Sequence, residues 1–142
     1  MSKSIKLKND TYIDSSSIVH NKEKLSYILN AESRTLTFNG EYVYSSDLQY
    51  DCFKIGKMVV LNIHTIGFKQ NLNHSELLIS GLPKPNGAII FHLHGGNESA
   101  GLTIRCVLDT NGNILTHYGG TTSVGSSANK QFGGTLIYRT NE

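Results

Sequence analysis

The stretch "YDCFKIGKMVVLNIHTI", residues 50–66, decides how the chain is read. Two apolar runs flank Gly56-Lys57, a dipeptide suited to a tight turn, and each run alternates with the period of two that belongs to a strand. An Ile55/Met58 turn closes the hairpin. It pairs Phe53 with Val60 on one face, and Cys52 with Leu61 and Tyr50 with Ile63 on the other. Both faces are therefore largely apolar. A sheet with one face on a core normally turns a polar face to water. A second apolar face implies a covering loop or another subunit.

Working outward from this hairpin, the chain continues in the same grammar. "TLTFNGEYVYS" (35–45) reads as a hairpin around Asn39-Gly40. "ELLIS" (76–80), "AIIFHLH" (88–94), "LTIRCVL" (102–108), "ILTHY" (114–118) and "GTLIYRT" (134–140) read as further strands. Gly-, Pro- and Asn-rich turns separate them. All fourteen glycines and both prolines lie from Gly40 onward, so turn chemistry is confined to this part. Short strands at this spacing predict a mainly β body, an antiparallel β-sandwich of jelly-roll type, over residues 34–142.

Residues 1–33 are written differently. "IKLKNDTYID" alternates and reads as extended. Ser15 to Ser17 then offer N-cap hydroxyls before "IVHNKEKLSYILN". Ile18, Leu25, Ile28 and Leu29 fall on one face of the short helix this predicts. A helix of about fifteen residues is marginal alone in water. Its apolar stripe needs the body, sister chains or a partner.

Charge narrows the function classes. Of 13 basic and 11 acidic residues, five Lys and three acids lie in residues 1–30, which leaves eight of each for the rest. A neutral body lacks the basic surplus that nucleic-acid binding requires. No run approaches the about 18 apolar residues of a membrane span. "MSKSIKLKNDTY" has no apolar core of a signal peptide, so synthesis in the cytoplasm is expected. Cys52 and Cys106 sit in apolar runs and read as buried thiols, with one disulfide as the alternative.

The sharpest chemical motif is "FHLHGGNE" (91–98), where His92 and His94 share one strand face. With Glu98 and His117 they form an alternative metal set, His92, His94, Glu98 and His117. Their pattern loosely resembles the first metal motif of cupins. Four residues separate Gly87 from His92 where that motif has five, and Arg105 stands at its closing Gly. A pair of histidines meeting its symmetry mates on a threefold axis is a further reading. No cofactor and no catalytic residue is assigned. No Gly-x-Ser-x-Gly elbow or phosphate-cradling Gly-Lys-Ser/Thr occurs.

"KLKNDTYIDSSSIVHNKEKLSYILN" resembles a segment of tail-fibre and baseplate receptor-binding proteins of phages and prophages of Gram-positive bacteria. There it precedes a C-terminal β-sandwich head. "CFKIGKMVVLNIHTI" with "LLISGLPKP", then "TIRCVLDTNGNI" and "GGTLIYRT", are similar to successive strands of such heads. The resemblance implies a homotrimer, with Ile18, Leu25, Ile28 and Leu29 in a trimerisation neck over residues 1–33. It implies a place in the virion tail, beside other tail or baseplate proteins, and a host cell-surface polysaccharide as partner. Recognition is then expected on the loops Gly95–Gly101 and Gly119–Gln131, with Asn97, Glu98 and Tyr118 as candidate contacts. The alternatives are a cupin-like metal-dependent enzyme and a structural tail component without a ligand.

Overall fold

The computed structural model describes residues 5–6, 12–13, 31–96, 100–121 and 127–142. The expected helix and its stripe Ile18, Leu25, Ile28 and Leu29 lie outside these residues. Two compact units emerge, Met1–Ala31 and Glu32–Glu142. In the first, β1 (Ile5–Lys6) and β2 (Tyr12–Ile13) pair antiparallel, at two positions where the sequence alternates.

In the second unit nine strands form one antiparallel order. They are β3 (Glu32–Ser33), β4 (Thr37–Phe38), β5 (Val43–Ile55), β6 (Met58–Phe68), β7 (Leu77–Ser80), β8 (Ile89–Gly95), β9 (Thr103–Leu108), β10 (Ile114–Thr121) and β11 (Gln131–Arg139). The order is β3-β5-β6-β11-β8-β9-β10-β7-β4. The expectation of a mainly β, antiparallel body holds.

The β5–β6 hairpin turns where the sequence places it. Ile55 pairs with Met58, Phe53 with Val60, Cys52 with Leu61 and Tyr50 with Ile63. Gly56 takes φ +58, a conformation that favours glycine at the turn. The reading of residues 35–45 as a hairpin is corrected. Asn39-Gly40 does turn the chain, with Val43 N bonded to Asn39 O at 2.9 Å. Yet β4 pairs with β7, whereas β5 pairs with β6 and β3. The reason is the bonding of Asn39. Its amide donates to Leu78 O at 2.9 Å and its Nδ2 to Leu77 O at 3.0 Å, which ties it to β7.

Strands β3 and β4 end the order on opposite sides, yet only Arg34, Thr35 and Leu36 separate them. Four Cα–Cα steps span at most about 14 Å. The two ends of the order must therefore come together, and the sheet curls upon itself. Arg34 N bonds Cys52 O at 2.8 Å, and Leu36 N bonds the Tyr50 hydroxyl at 3.1 Å. The Phe38 and Tyr50 rings, from β4 and β5, pack 4.9 Å apart.

The concave side holds the core. Val59, Leu61, Ile63, Ile66 and Phe68 of β6 face Leu93, Ile104, Cys106, Leu108 and Ile114 of β8 to β10, all buried. Phe68 and Phe132 pack with centroids 5.7 Å apart, a tilted pair of the favoured kind. The buried hydroxyls of Ser127 and Thr116 are satisfied. Ser127 Oγ donates to Gln70 O and accepts from Leu72 N. Thr116 Oγ1 donates to Asn73 O and accepts from Glu76 N. Cys52 and Cys106 are free thiols, as the sequence suggested.

The convex side carries two apolar rows. Phe53, Val60 and Ile137 align across β5, β6 and β11, with Ile137 61% exposed. Ile90, Val107, Leu115 and Leu77 align across β8, β9, β10 and β7, with Ile90 49% exposed. The apolar second face of the β5–β6 hairpin is thus present, and the other half of the sheet has a counterpart.

Candidate functional site

The strand order has a seam. β11 pairs with β6 at eight positions but with β8 at only two, Phe132 with Gly95 and Gly133 with His94. A bulge between Phe132 and Gly134 swings β11 from one neighbour toward the other. Glycine is required there. A Cβ on Gly133 would lie 2.9 Å from the carbonyl oxygens of Ile63 and His64. One on Gly134 would lie 3.1 Å from His92 O.

Two consecutive residues without side chains leave an open groove along the seam, of about 510 Å³. Backbone of β11 lines it, together with Asn62, His64 and Thr65 of β6, His94 of β8 and Gln131. Beside it stands a polar network on neighbouring strands. His64 Nε2 lies 2.6 Å from Asp51 Oδ2, and both residues are exposed. Thr135 Oγ1 donates to Asn62 Oδ1 at 2.8 Å. Register explains the grouping, because Asp51, Asn62 and Thr135 form one cross-strand row next to the apolar row of Val60. The result is a shallow surface of hydroxyl, amide, imidazole and carboxylate groups. Such groups both donate to and accept from hydroxyls.

The groove brings together the bases of the two loops singled out in the sequence. Gly96 N donates to Gln131 O at 3.0 Å, which joins the start of one loop to the end of the other. Asn97 and Glu98 lie outside the described residues, as does the side chain of Tyr118. His92 and His94 both point outward from β8, their rings 6.5 Å apart, and only His94 reaches the groove. His117 lies on β10 with its ring 5.8 Å from that of His74. Burial, and then the charges of Arg105 and His74, hold His117 below the usual imidazole range. Among the described residues, no three His, Cys, Asp or Glu side chains converge as metal ligands would.

Asp51, Asn62, His64 and Thr135 were not singled out from the sequence as a group. A signal existed. "NIH" places Asn62 and His64 on the outward face of a hairpin that is otherwise apolar there, and the register sets Asp51 opposite Asn62.

No protein-family model matches this sequence, and no curated protein matches it. Among solved structures it is similar to the receptor binding protein (gp15) of Listeria phage PSA. The TM-score is 0.59 at 15% sequence identity, over 89% of this chain and 75% of that one. The two proteins share a fold.

Proposed function

We propose that this chain is a non-enzymatic adhesin of a phage tail, from a phage or prophage of Gram-positive bacteria. It assembles as a homotrimer and binds a saccharide of the host surface. The observation that carries the reading is the polar groove at the β6–β11–β8 seam, where one candidate loop begins and the other ends, on a fold shared with a phage receptor-binding protein. Open, polar and shallow sites suit weak contacts with sugar hydroxyls. Three such sites on one rigid particle convert weak contacts into useful avidity.

The two convex apolar rows support assembly, since exposed apolar rows of this extent mark protein contacts. In this reading the sandwich-like body is the head, and residues 1–33 are the neck that joins it to other tail or baseplate proteins. Binding of labelled protein to host cells tests the function. A His64→Ala, Gln131→Ala variant is expected to bind at least about tenfold more weakly while keeping its oligomeric mass. Parent-like binding by that variant, and by one with residues 121–129 shortened, would remove the groove and its loops from recognition.

A further inference from the structure

An asparagine followed by glycine is open to attack by its own backbone. Glycine has no Cβ to shield its nitrogen and bends freely, so that nitrogen can reach the asparagine side-chain carbonyl carbon. The sequence holds three such pairs, Asn39-Gly40, Asn86-Gly87 and Asn111-Gly112. As dipeptides they are alike, and the fold separates them.

Asn39 is held at both ends of its side-chain amide. Nδ2 donates to Leu77 O at 3.0 Å, and Oδ1 accepts from Glu41 N at 3.1 Å. Turning Cγ toward the Gly40 nitrogen breaks both bonds. Asn111 belongs to a turn closed by Asp109, whose Oδ1 accepts from Asn111 N at 2.8 Å and from Asn113 N at 2.9 Å. The Gly112 nitrogen, the attacking atom of that pair, donates to Asp109 O at 3.2 Å. The Leu82 carbonyl oxygen, packed where a Gly112 side chain would stand, fixes the turn further.

Asn86-Gly87 lies between two anchored segments. On one side the Tyr138 hydroxyl donates to Pro83 O at 2.6 Å, Thr140 Oγ1 donates to Lys84 O at 2.7 Å, and Pro85 bridges to Thr140. On the other side β8 begins at Ile89, which pairs with Leu108. The pair itself is an exposed bend. Among the described residues, no hydrogen bond holds the Asn86 side chain or the Gly87 nitrogen. A side chain built on Gly87 would meet nothing within 4 Å. Asn86 is thus free to turn onto the Gly87 nitrogen without breaking a contact.

We propose that Asn86 is a self-modification site, which converts to aspartyl and isoaspartyl residues while the protein stays folded. The Gly87 nitrogen gives its proton to solvent hydroxide and bonds to Asn86 Cγ. The Cγ–Nδ2 bond breaks, Nδ2 takes a proton from water, and ammonia leaves. A five-membered succinimide remains. Water then opens the ring at one of its two carbonyls. Opening at the side-chain carbonyl leaves aspartate. Opening at the main-chain carbonyl leaves isoaspartate, in which the chain runs on through Cγ. Water is the one co-reactant, and nothing is oxidised or reduced. Either product adds a carboxylate, ionised at neutral pH, to a body that carries eight basic and eight acidic residues. The isoaspartyl form also lengthens the backbone by one carbon, and the open bend absorbs it while the anchors at Pro83 to Pro85 and in β8 stay in place. Neither the site nor its chemistry depends on the proposed function.

The test incubates the full-length protein in mildly alkaline buffer, native and in urea, and maps the three asparagines by peptide mass spectrometry over time. In the native protein Asn86 is expected to convert at least about fivefold faster than Asn39 or Asn111, whose hydrogen bonds must open first. In urea the three rates should converge, since the protecting contacts are gone. Gly87→Ala should slow conversion at Asn86 by at least about fivefold, because a Cβ shields the attacking nitrogen, with the β-sheet spectrum unchanged. An isoaspartyl methyltransferase should label the aged parent protein at residue 86. Conversion of Asn86 no faster than that of Asn39 and Asn111 in the native protein would overturn the site. So would the same spread of rates in urea, which would take the selectivity away from the fold. A parent-like rate in Gly87→Ala would reject the succinimide route.

Discussion

The Leu82 amide donates to the Gly112 carbonyl at 3.1 Å, and the Leu82 carbonyl oxygen occupies the space that a side chain on Gly112 would need. Gly112 also takes φ +83, a conformation that L side chains rarely adopt. This contact docks the β9–β10 turn onto the segment that leaves β7.

Gly112→Ala is therefore expected to destabilise the body by about 2–4 kcal/mol, from backbone strain and the collision together. Denaturant midpoints measure it. A loss below about 0.5 kcal/mol, typical of an ordinary surface change, would contradict the contact.

Ile137→Asp and Ile90→Asp each place a charge in one convex apolar row. If a neighbouring copy covers these rows, each change strands an unpaired charge in an apolar contact, which is costly. Light scattering should then show a lower mass, with an unchanged β-sheet spectrum. A parent-like mass for both variants would take both rows out of the interface.

The thiols should differ in reactivity. Burial pushes the Cys106 thiol up to about 12. It also raises Cys52, against a smaller opposing pull from the Arg34 charge. Because the thiolate is the reactive form, neither should label quickly near neutral pH, and Cys52 should label before Cys106. Mass spectrometry after timed alkylation reads the order. Rapid modification of Cys106 in the native protein would refute its burial.

His117 should make the body less stable in mild acid. Its folded value lies below the ordinary one, so the unfolded chain binds the proton first as pH falls. The stability contribution is complete above the unfolded value of about 6.5 and declines as pH drops below it. His117→Gln should flatten this acid limb, as measured by urea midpoints between about pH 7.5 and about pH 5. An unchanged slope would show that His117 is not the group responsible.

The β5–β6 hairpin was legible because a strict two-residue alternation on both sides of Gly56 fixes register locally. Asn39-Gly40 carried an equally strong turn signal and still misled. Its turn is real, but the partner of β4 is β7, reached through the bonds of Asn39 to Leu77 and Leu78. Turn chemistry is local, whereas the choice of a sheet neighbour is settled by contacts far apart in sequence. The candidate groove was half legible. Both loops were recognised from composition, yet their meeting through Gly96 and Gln131 depends on a bulge at Phe132 that no pattern announces. His64 and Asp51 stood within reach, since the register already placed Asp51 opposite Asn62.

The segment from Glu32 to Phe38 supplies both outermost strands of the nine-strand order, each only two residues long. Outer strands with free amides and carbonyls recruit other chains, and very short ones leave little to recruit. Here a single continuous stretch shields the thirteen-residue β5 on one border and β7 on the other. Losing that stretch would unmask both borders in one event. A protein clipped after Phe38 would then offer two complementary ladders, and its failure would be polymerisation rather than simple unfolding.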